Sequence, residues 1–236
     1  MADNVELVRQ LLSEKSDEKT KVSGERFFKE TVRLYGVRAV DVRKIASSTF
    51  KQIARLSKHE IFDFCEQLWQ SQIMEEAMIA CHWSYALRKQ YAPEDFTTFE
   101  CWVNRYVSNW ATCDTLCNHT IGTFLERFPE FVETMKTWCL SENRWVRRAS
   151  AVSFILPAKK GLFKENLFDI ADRLLLDGDD LVQKGYGWML KELAEAYEEE
   201  VYQFILKRRA VMPRTALRYA IEKMPAEKKR EAMKRV

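Results

Sequence analysis

Apolar residues recur at three- and four-residue spacing along most of the chain, as in "FDFCEQLWQ" (62–70), "FVETMKTWCL" (131–140) and "FDIADRLLL" (168–176). This spacing places apolar side chains on one face of an α-helix. Short breaks that contain proline, "YAPED" (91–95) and "RFPE" (127–130), separate the segments. The pattern therefore predicts a series of amphipathic helices.

A longer period relates these helices to one another. Five of the predicted helices start at intervals of 37, 35, 36 and 31 residues, at Ile73, Trp110, Trp145, Leu181 and Met212. The fifth position of four of them is small, which suits close helix packing: Ala77, Ala149, Gly185 and Ala216. The exception is Asp114. A period near 36 residues is typical of α-solenoids, which stack helix pairs into a superhelix with one concave face.

Composition supports an all-α fold, because seven Gly and five Pro in 236 residues are too few turn-forming residues to connect many short strands. We expect one repeat domain over residues 1–236 and, since a solenoid with polar end helices closes its own core, a monomer. The six cysteines lie at irregular spacings among apolar residues, and neither a signal peptide nor a membrane span is recognisable. These features predict a cytoplasmic, intracellular protein.

Charge is distributed unevenly. Residues 207–236 carry eleven Lys or Arg against three Glu, a net charge of +8, whereas the rest of the chain is at −5. A basic segment of this kind suits a polyanionic partner, although it is also typical of a solvated helix end.

The period brings unusual residues onto neighbouring helices. Trp110 and Asp114, and likewise Lys184 and Trp188, are four residues apart and share a helix face, while Arg148 is expected to project beside Lys184. Core packing is the alternative for each tryptophan, and a salt bridge to Arg148 is the alternative for Asp114. No metal site is expected, since Cys113, Cys117 and His119 lack a second cluster to complete the four ligands of zinc.

Three segments carry a resemblance to a known family: "NWATCDTLCNHTIGTFLERFPE" (109–130), "NRWVRRASAV" (143–152) and "LVQKGYGWMLKELA" (181–194). With these in order, the chain from "RFFKETVRLYGV" (26–37) to "PRTALRYAIEKM" (213–224) resembles the DNA alkylation repair DNA glycosylases of the AlkD family, which are built from HEAT-like repeats. The resemblance implies an α-α superhelix with a concave basic groove.

The resemblance also implies a function. It points to a monofunctional glycosylase that removes N3- or N7-alkylated purines from double-stranded DNA without deep base flipping and without a cofactor. Matched motif positions give Asp114, Trp110 and Trp188 as catalytic residues, and give as DNA-binding residues Arg148, Phe27, Lys184, Arg214 and Arg218. Phe27 stands where the family commonly has tyrosine, so any role of that hydroxyl is lost. The alternative is a non-catalytic HEAT-like module that binds DNA or another protein.

Overall fold

The computed structural model describes residues 4–234, and these are 73% helical. Within that range there is no strand, only an isolated bridge between Arg33 and Ile73. The all-α class predicted from composition and periodicity is confirmed. None of the helices in residues 4–234 is both long enough and apolar enough to cross a membrane.

The chain divides into two compact units, the first ending at Leu116 and the second beginning at Cys117. The first unit contains α1 (Asn4–Glu14), α2 (Glu18–Phe27), α3 (Ala39–Ile53), α4 (Lys58–Gln70), α5 (Met74–Ala86), α6 (Asp95–Arg105) and α7 (Trp110–Thr115), with a 3₁₀ turn at Arg88–Gln90. A π-helical segment follows α7 over Leu116–Ile121. A single domain over residues 1–236 and a concave basic groove stay predictions.

The helices of the second unit are shorter on average. They are α8 (Gly122–Arg127), α9 (Val132–Trp138), α10 (Arg144–Val152), α11 (Ile155–Lys159), α12 (Lys164–Arg173), α13 (Asp180–Leu193), α14 (Glu198–Arg208), α15 (Arg214–Ala220) and α16 (Ala226–Met233). A 3₁₀ turn at Pro129–Phe131 precedes α9.

The five helix starts predicted from the period fall within two residues of the observed starts of α5, α7, α10, α13 and α15. Polar side chains fix three of them. Asn109 Oδ1 caps α7 by accepting from the Thr112 amide at 2.9 Å. In the same way, the Asn143 carboxamide oxygen caps α10 and the Asp179 carboxylate oxygen caps α13. Such caps satisfy backbone donors that the first helical turn leaves unpaired.

The small residues of the repeat are buried where helices pack. Ala77, Ala149 and Ala216 are at most 5% exposed. A Cβ on Gly185 would meet the Val152 side chain at 3.3 Å. Asp114, at the equivalent position of α7, is instead partly exposed.

Each unit has its own apolar core. In the first unit, Phe62, Phe99 and Trp102 contact one another with ring centroids 5.6–5.8 Å apart. In the second unit, Phe168 on α12 stacks on Phe204 on α14 at 4.9 Å. Aromatic rings packed in this way contribute strongly to the stability of a helical core.

Candidate nucleic-acid interface

Helix α7 carries the two predicted residues of the first unit, Trp110 and Asp114. Asn109 caps the helix, and Thr112 and Cys113 turn into the core. Trp110 and Asp114, one turn apart, are both partly exposed. The sequence therefore places a carboxylate and an indole together on the accessible face of one short helix.

Three aromatic rings meet at this face. The Phe27 ring lies edge-on to Trp110 with centroids 5.8 Å apart, and the Phe28 ring lies 5.4 Å from Trp110 at an interplanar angle of 30°. Phe27 is 70% exposed, and it is the one aromatic residue among the exposed large hydrophobic side chains of residues 4–234. The structure thus joins two predicted residues, Phe27 and Trp110, and adds Phe28, which the sequence reasoning missed. The adjacent "FF" pair was the only signal for it.

Segment 33–37 fixes the chain that follows these phenylalanines. The Glu75 carboxylate, 3% exposed, accepts the backbone N–H groups of Tyr35, Gly36 and Val37 at 2.9–3.1 Å. Gly36 has φ of +87°, and a Cβ there would lie 2.5 Å from the Asp17 carbonyl oxygen, so only glycine fits. The Met74 amide donates to the Arg33 carbonyl at 3.0 Å. The segment is therefore held to the start of α5.

A second buried carboxylate supports the same segment. Tyr35 Oη donates to Glu76 Oε1 at 2.8 Å, and Arg9 Nε of α1 donates to Glu76 Oε2 at 3.3 Å. Burial, and then the hydrogen bond to Glu76, raise the pKa of Tyr35 well above its usual value. Glu76 is thus a structural residue in this unit.

The second unit presents Trp188 on α13. Its Nε1 donates to Glu192 Oε1 at 3.1 Å, and the Lys191 ammonium lies 6.0 Å from its ring centroid. The ring is partly exposed. Lys184, one turn earlier, pairs with Asp180 at 2.9 Å. An indole with a cation over it and a carboxylate at its N–H is fixed in orientation before any ligand arrives.

Arg148 differs from the expectation that it projects beside Lys184. It is only 5% exposed, and its Nη1 donates to the Leu181 carbonyl at the start of α13. The Arg148 side chain also lies beside Gly185, where the absence of a Cβ leaves room for it. Little of the side chain is accessible, because the guanidinium is held against α13 within its own unit. Direct contact of Arg148 with a phosphate stays a prediction.

Much of the basic charge near the end of the chain is neutralised within the second unit. Lys223 pairs with Glu192 and Glu195, and Lys228 pairs with Glu198 and Glu199. Their carboxylate partners raise the pKa of both lysines. The predicted contacts Arg214 and Arg218 are exposed, and neither pairs with a carboxylate among residues 4–234. These two arginines, on α15, are therefore among the cations of this segment that have no carboxylate partner in that range.

Comparisons with known proteins bear on the fold and the family of the chain. No curated protein sequence matches the chain significantly. A protein of Enterococcus faecalis described as a predicted DNA alkylation repair enzyme superposes with a TM-score of 0.79 and 15% identity, over 90% of this chain and 98% of that one. The alkylpurine DNA glycosylase AlkC of Pseudomonas fluorescens, solved bound to DNA containing an abasic site analog, superposes with a TM-score of 0.53 and 16% identity, over 92% of this chain and 62% of that one.

At identities this low, the two structures establish the shared helical fold and nothing finer. The family assignment comes from the sequence itself. Residues 8–224 match the family described as DNA alkylation repair enzyme. Since the match spans most of the 236 residues, the chain belongs to the DNA alkylation repair enzyme family.

Proposed function

We propose that the protein is a monofunctional DNA glycosylase that hydrolyses the N-glycosidic bond of N3- or N7-alkylated purines, such as 3-methyladenine and 7-methylguanine. One observation carries the proposal. Asp114 lies on the accessible face of α7, one turn from Trp110, where the repeat otherwise has a buried small residue. A carboxylate that breaks the packing pattern of the repeat and stands on an accessible face supports a functional role.

The chemistry suits that carboxylate. An alkylated N3 or N7 already gives the purine a positive charge, so the base departs as a neutral molecule with the bonding electron pair. Positive charge then develops on the deoxyribose, and the Asp114 carboxylate stabilises it. Water adds to the sugar carbon and loses one proton, which Asp114 can accept. The products are a free base and an abasic site, and no lysine nucleophile is required.

The aromatic cluster of Phe27, Phe28 and Trp110 supplies the binding surface for this reaction. Ring faces carry negative electrostatic potential and attract electron-poor sugars and cationic bases. Phe27 lacks a hydroxyl, so it contributes its ring alone. Because Phe27 is exposed and the other two rings are partly exposed, the cluster supports recognition on a surface without a deep base-flipping pocket.

The second unit would contribute to binding through Trp188 and exposed cations. Trp188 is oriented by Glu192 and Lys191, and Arg214 and Arg218 are available to phosphates. Phosphate contacts position DNA without reading its sequence, so binding should be independent of sequence and sensitive to salt.

The test compares wild type with Asp114→Asn in two assays: release of free base from duplex DNA containing 7-methylguanine, and DNA binding. We expect the variant to bind DNA with similar affinity but to release base at least ~100-fold more slowly, because the lost interaction acts in the transition state. Asp63→Asn, an exposed carboxylate on α4, serves as the control and should match wild type.

If wild type binds DNA but releases no base from 3-methyladenine or 7-methylguanine substrates, the glycosylase proposal is wrong. The protein would then be a non-catalytic DNA-binding module. If Asp114→Asn keeps the full rate of base release, the activity stands and the carboxylate is not its source.

A further inference from the structure

Two oppositely charged neighbours on α13, Lys191 and Glu192, face the reverse pair, Glu222 and Lys223, in the turn after α15. Lys191 Nζ donates to Glu222 Oε2 at 3.1 Å, and Lys223 Nζ donates to the two Glu192 oxygens at 3.1 and 3.0 Å. The partners of each pair are 31 residues apart, which is also the spacing of the last two predicted helix starts. The repeat therefore brings each charge opposite its complement.

Close packing of α13 on α15 makes these contacts possible. A Cβ on Gly187 would lie 2.6 Å from the Ala216 carbonyl oxygen and 2.8 Å from the Tyr219 Cβ. Because glycine has no Cβ, the two helices can approach this closely beside Trp188. The Lys191 ammonium then lies 6.0 Å from the ring centroid of Trp188 and 6.0 Å from that of Tyr219. Trp188 thus sits where α13 meets the end of α15.

Glu192 connects Trp188 to the ion pairs. It is 6% exposed, and its Oε1 accepts from both Trp188 Nε1 and Lys223 Nζ at 3.1 Å. A carboxylate at this depth is stable only when a cation and hydrogen-bond donors replace the water that it loses. Lys223 supplies the charge and the indole supplies a further donor. The three side chains therefore hold one another in place.

The Lys223 ammonium is fully occupied by carboxylates. It donates to both oxygens of Glu192 and to Oε1 of Glu195. An ammonium group has three N–H donors, so each of them already has an acceptor. A DNA phosphate would have to displace one of these carboxylates. Lys223 is therefore placed to hold Glu192 and not to bind the DNA backbone.

We propose that Glu192 and Lys223 are a positioning pair for Trp188. Lys223 holds the Glu192 carboxylate in place, and the carboxylate fixes the indole in the orientation in which its face meets the sugar and backbone of the damaged nucleotide. In this role neither residue touches the substrate, and both act through Trp188. The inference rests on the proposed function for the role of Trp188, whereas the orientation of the ring can be measured without a substrate.

The first test measures hydrogen exchange of the Trp188 indole N–H by NMR of the isotope-labelled full-length protein. Its signal is identified by its loss in Trp188→Phe. A hydrogen bond to a charged group protects an N–H, so Glu192→Ala should exchange about 10-fold faster or more. Glu192→Gln keeps an oxygen that accepts from the indole and should change by less than ~3-fold. Lys223→Met should fall between them, because the acceptor remains but is no longer held.

The second test measures release of free base from duplex DNA containing 7-methylguanine by the same proteins. The three variants should follow the order of the exchange rates, with Glu192→Ala slower by about 10-fold and Glu192→Gln within about 3-fold of wild type. Recovery of the rate in Glu192→Gln separates the hydrogen bond to the indole from the ion pair, which that variant lacks. Thermal denaturation shows which variants are folded, and if Glu192→Ala is not, Glu192→Gln and Lys223→Met decide.

Lys228→Met is the matched control, since Lys228 lies in the same basic segment and also pairs with two glutamates, Glu198 and Glu199, at 2.7 and 2.8 Å. Its indole exchange and base release should equal those of wild type. The proposal is overturned if folded Glu192→Ala, or failing that Lys223→Met, matches this control in indole exchange. It is also overturned if Lys223→Met keeps wild-type exchange and lowers the slope of log affinity for DNA against log salt by about 0.9, because Lys223 then binds a phosphate.

The two tests together separate this inference from the proposed function. If the indole exchange rates change as expected but wild type releases no base, Glu192 and Lys223 do position Trp188 and the glycosylase proposal is wrong. If wild type releases base and the folded variants release it at the same rate, the glycosylase proposal stands and the positioning pair is wrong.

Discussion

Replacement of Glu75 tests whether a buried carboxylate holds the segment behind the aromatic cluster. Its Oε1 accepts the Gly36 and Val37 amides at 2.9 and 3.0 Å, and its Oε2 accepts the Tyr35 amide at 3.1 Å. The first two bonds are buried and the third is partly buried. Glu75→Ala removes all three acceptor contacts and leaves the amide donors behind.

The magnitude follows from the two buried bonds. A hydrogen bond to a charged group contributes about 1.5–3 kcal/mol, and an unsatisfied buried donor costs a similar amount. Counting Gly36 and Val37 at the lower limit, and allowing water to reach Tyr35, we expect Glu75→Ala to lower the free energy of unfolding by about 3 kcal/mol. Glu75→Gln should lose less, because its carbonyl oxygen can still accept from Gly36 and Val37.

Urea denaturation followed by circular dichroism measures these differences. With a urea dependence of about 1–3 kcal/mol per molar, the midpoint of Glu75→Ala should fall by about 1 M or more. Glu25→Ala, an exposed carboxylate on α2, is the control and should change stability by less than ~0.5 kcal/mol. If Glu75→Ala is no less stable than this control, or no less stable than Glu75→Gln, the assigned role of the three hydrogen bonds is wrong.

Two further predictions concern packing. Gly187→Ala should destabilise the protein by about 1–3 kcal/mol, since its Cβ would lie 2.6 Å from a backbone carbonyl of α15. Gly185→Ala should cost less, because its Cβ would meet only side-chain atoms, of Val152 at 3.3 Å and of Arg148 at 3.5 Å. Thermal denaturation that ranks the two variants equally would refute this. In iodoacetamide labelling read by mass spectrometry, Cys101 should react first, because burial raises the pKa of the Cys65 and Cys81 thiols; equal labelling rates would contradict that assignment.

The sequence by itself determined the helices, their starts and the face they share. Helical periodicity is a property of the local chain, so the start of α7 at Trp110 and the common face of Trp110 and Asp114 could be read from spacing. The period also identified Asp114 as an exception among small residues. Capping by Asn109 and Asn143 fixed the helix starts within two residues of the prediction.

Accessibility and partners, in contrast, were decided by the tertiary structure. Arg148 of α10 is buried against α13, where the Leu181 carbonyl accepts from its guanidinium. The charge of Lys223 is neutralised by Glu192, 31 residues earlier. Phe28 joins the aromatic cluster only because α2 ends beside α7. Each of these depends on contacts between distant segments, and the pattern along one helix carries no information about which neighbour will face it.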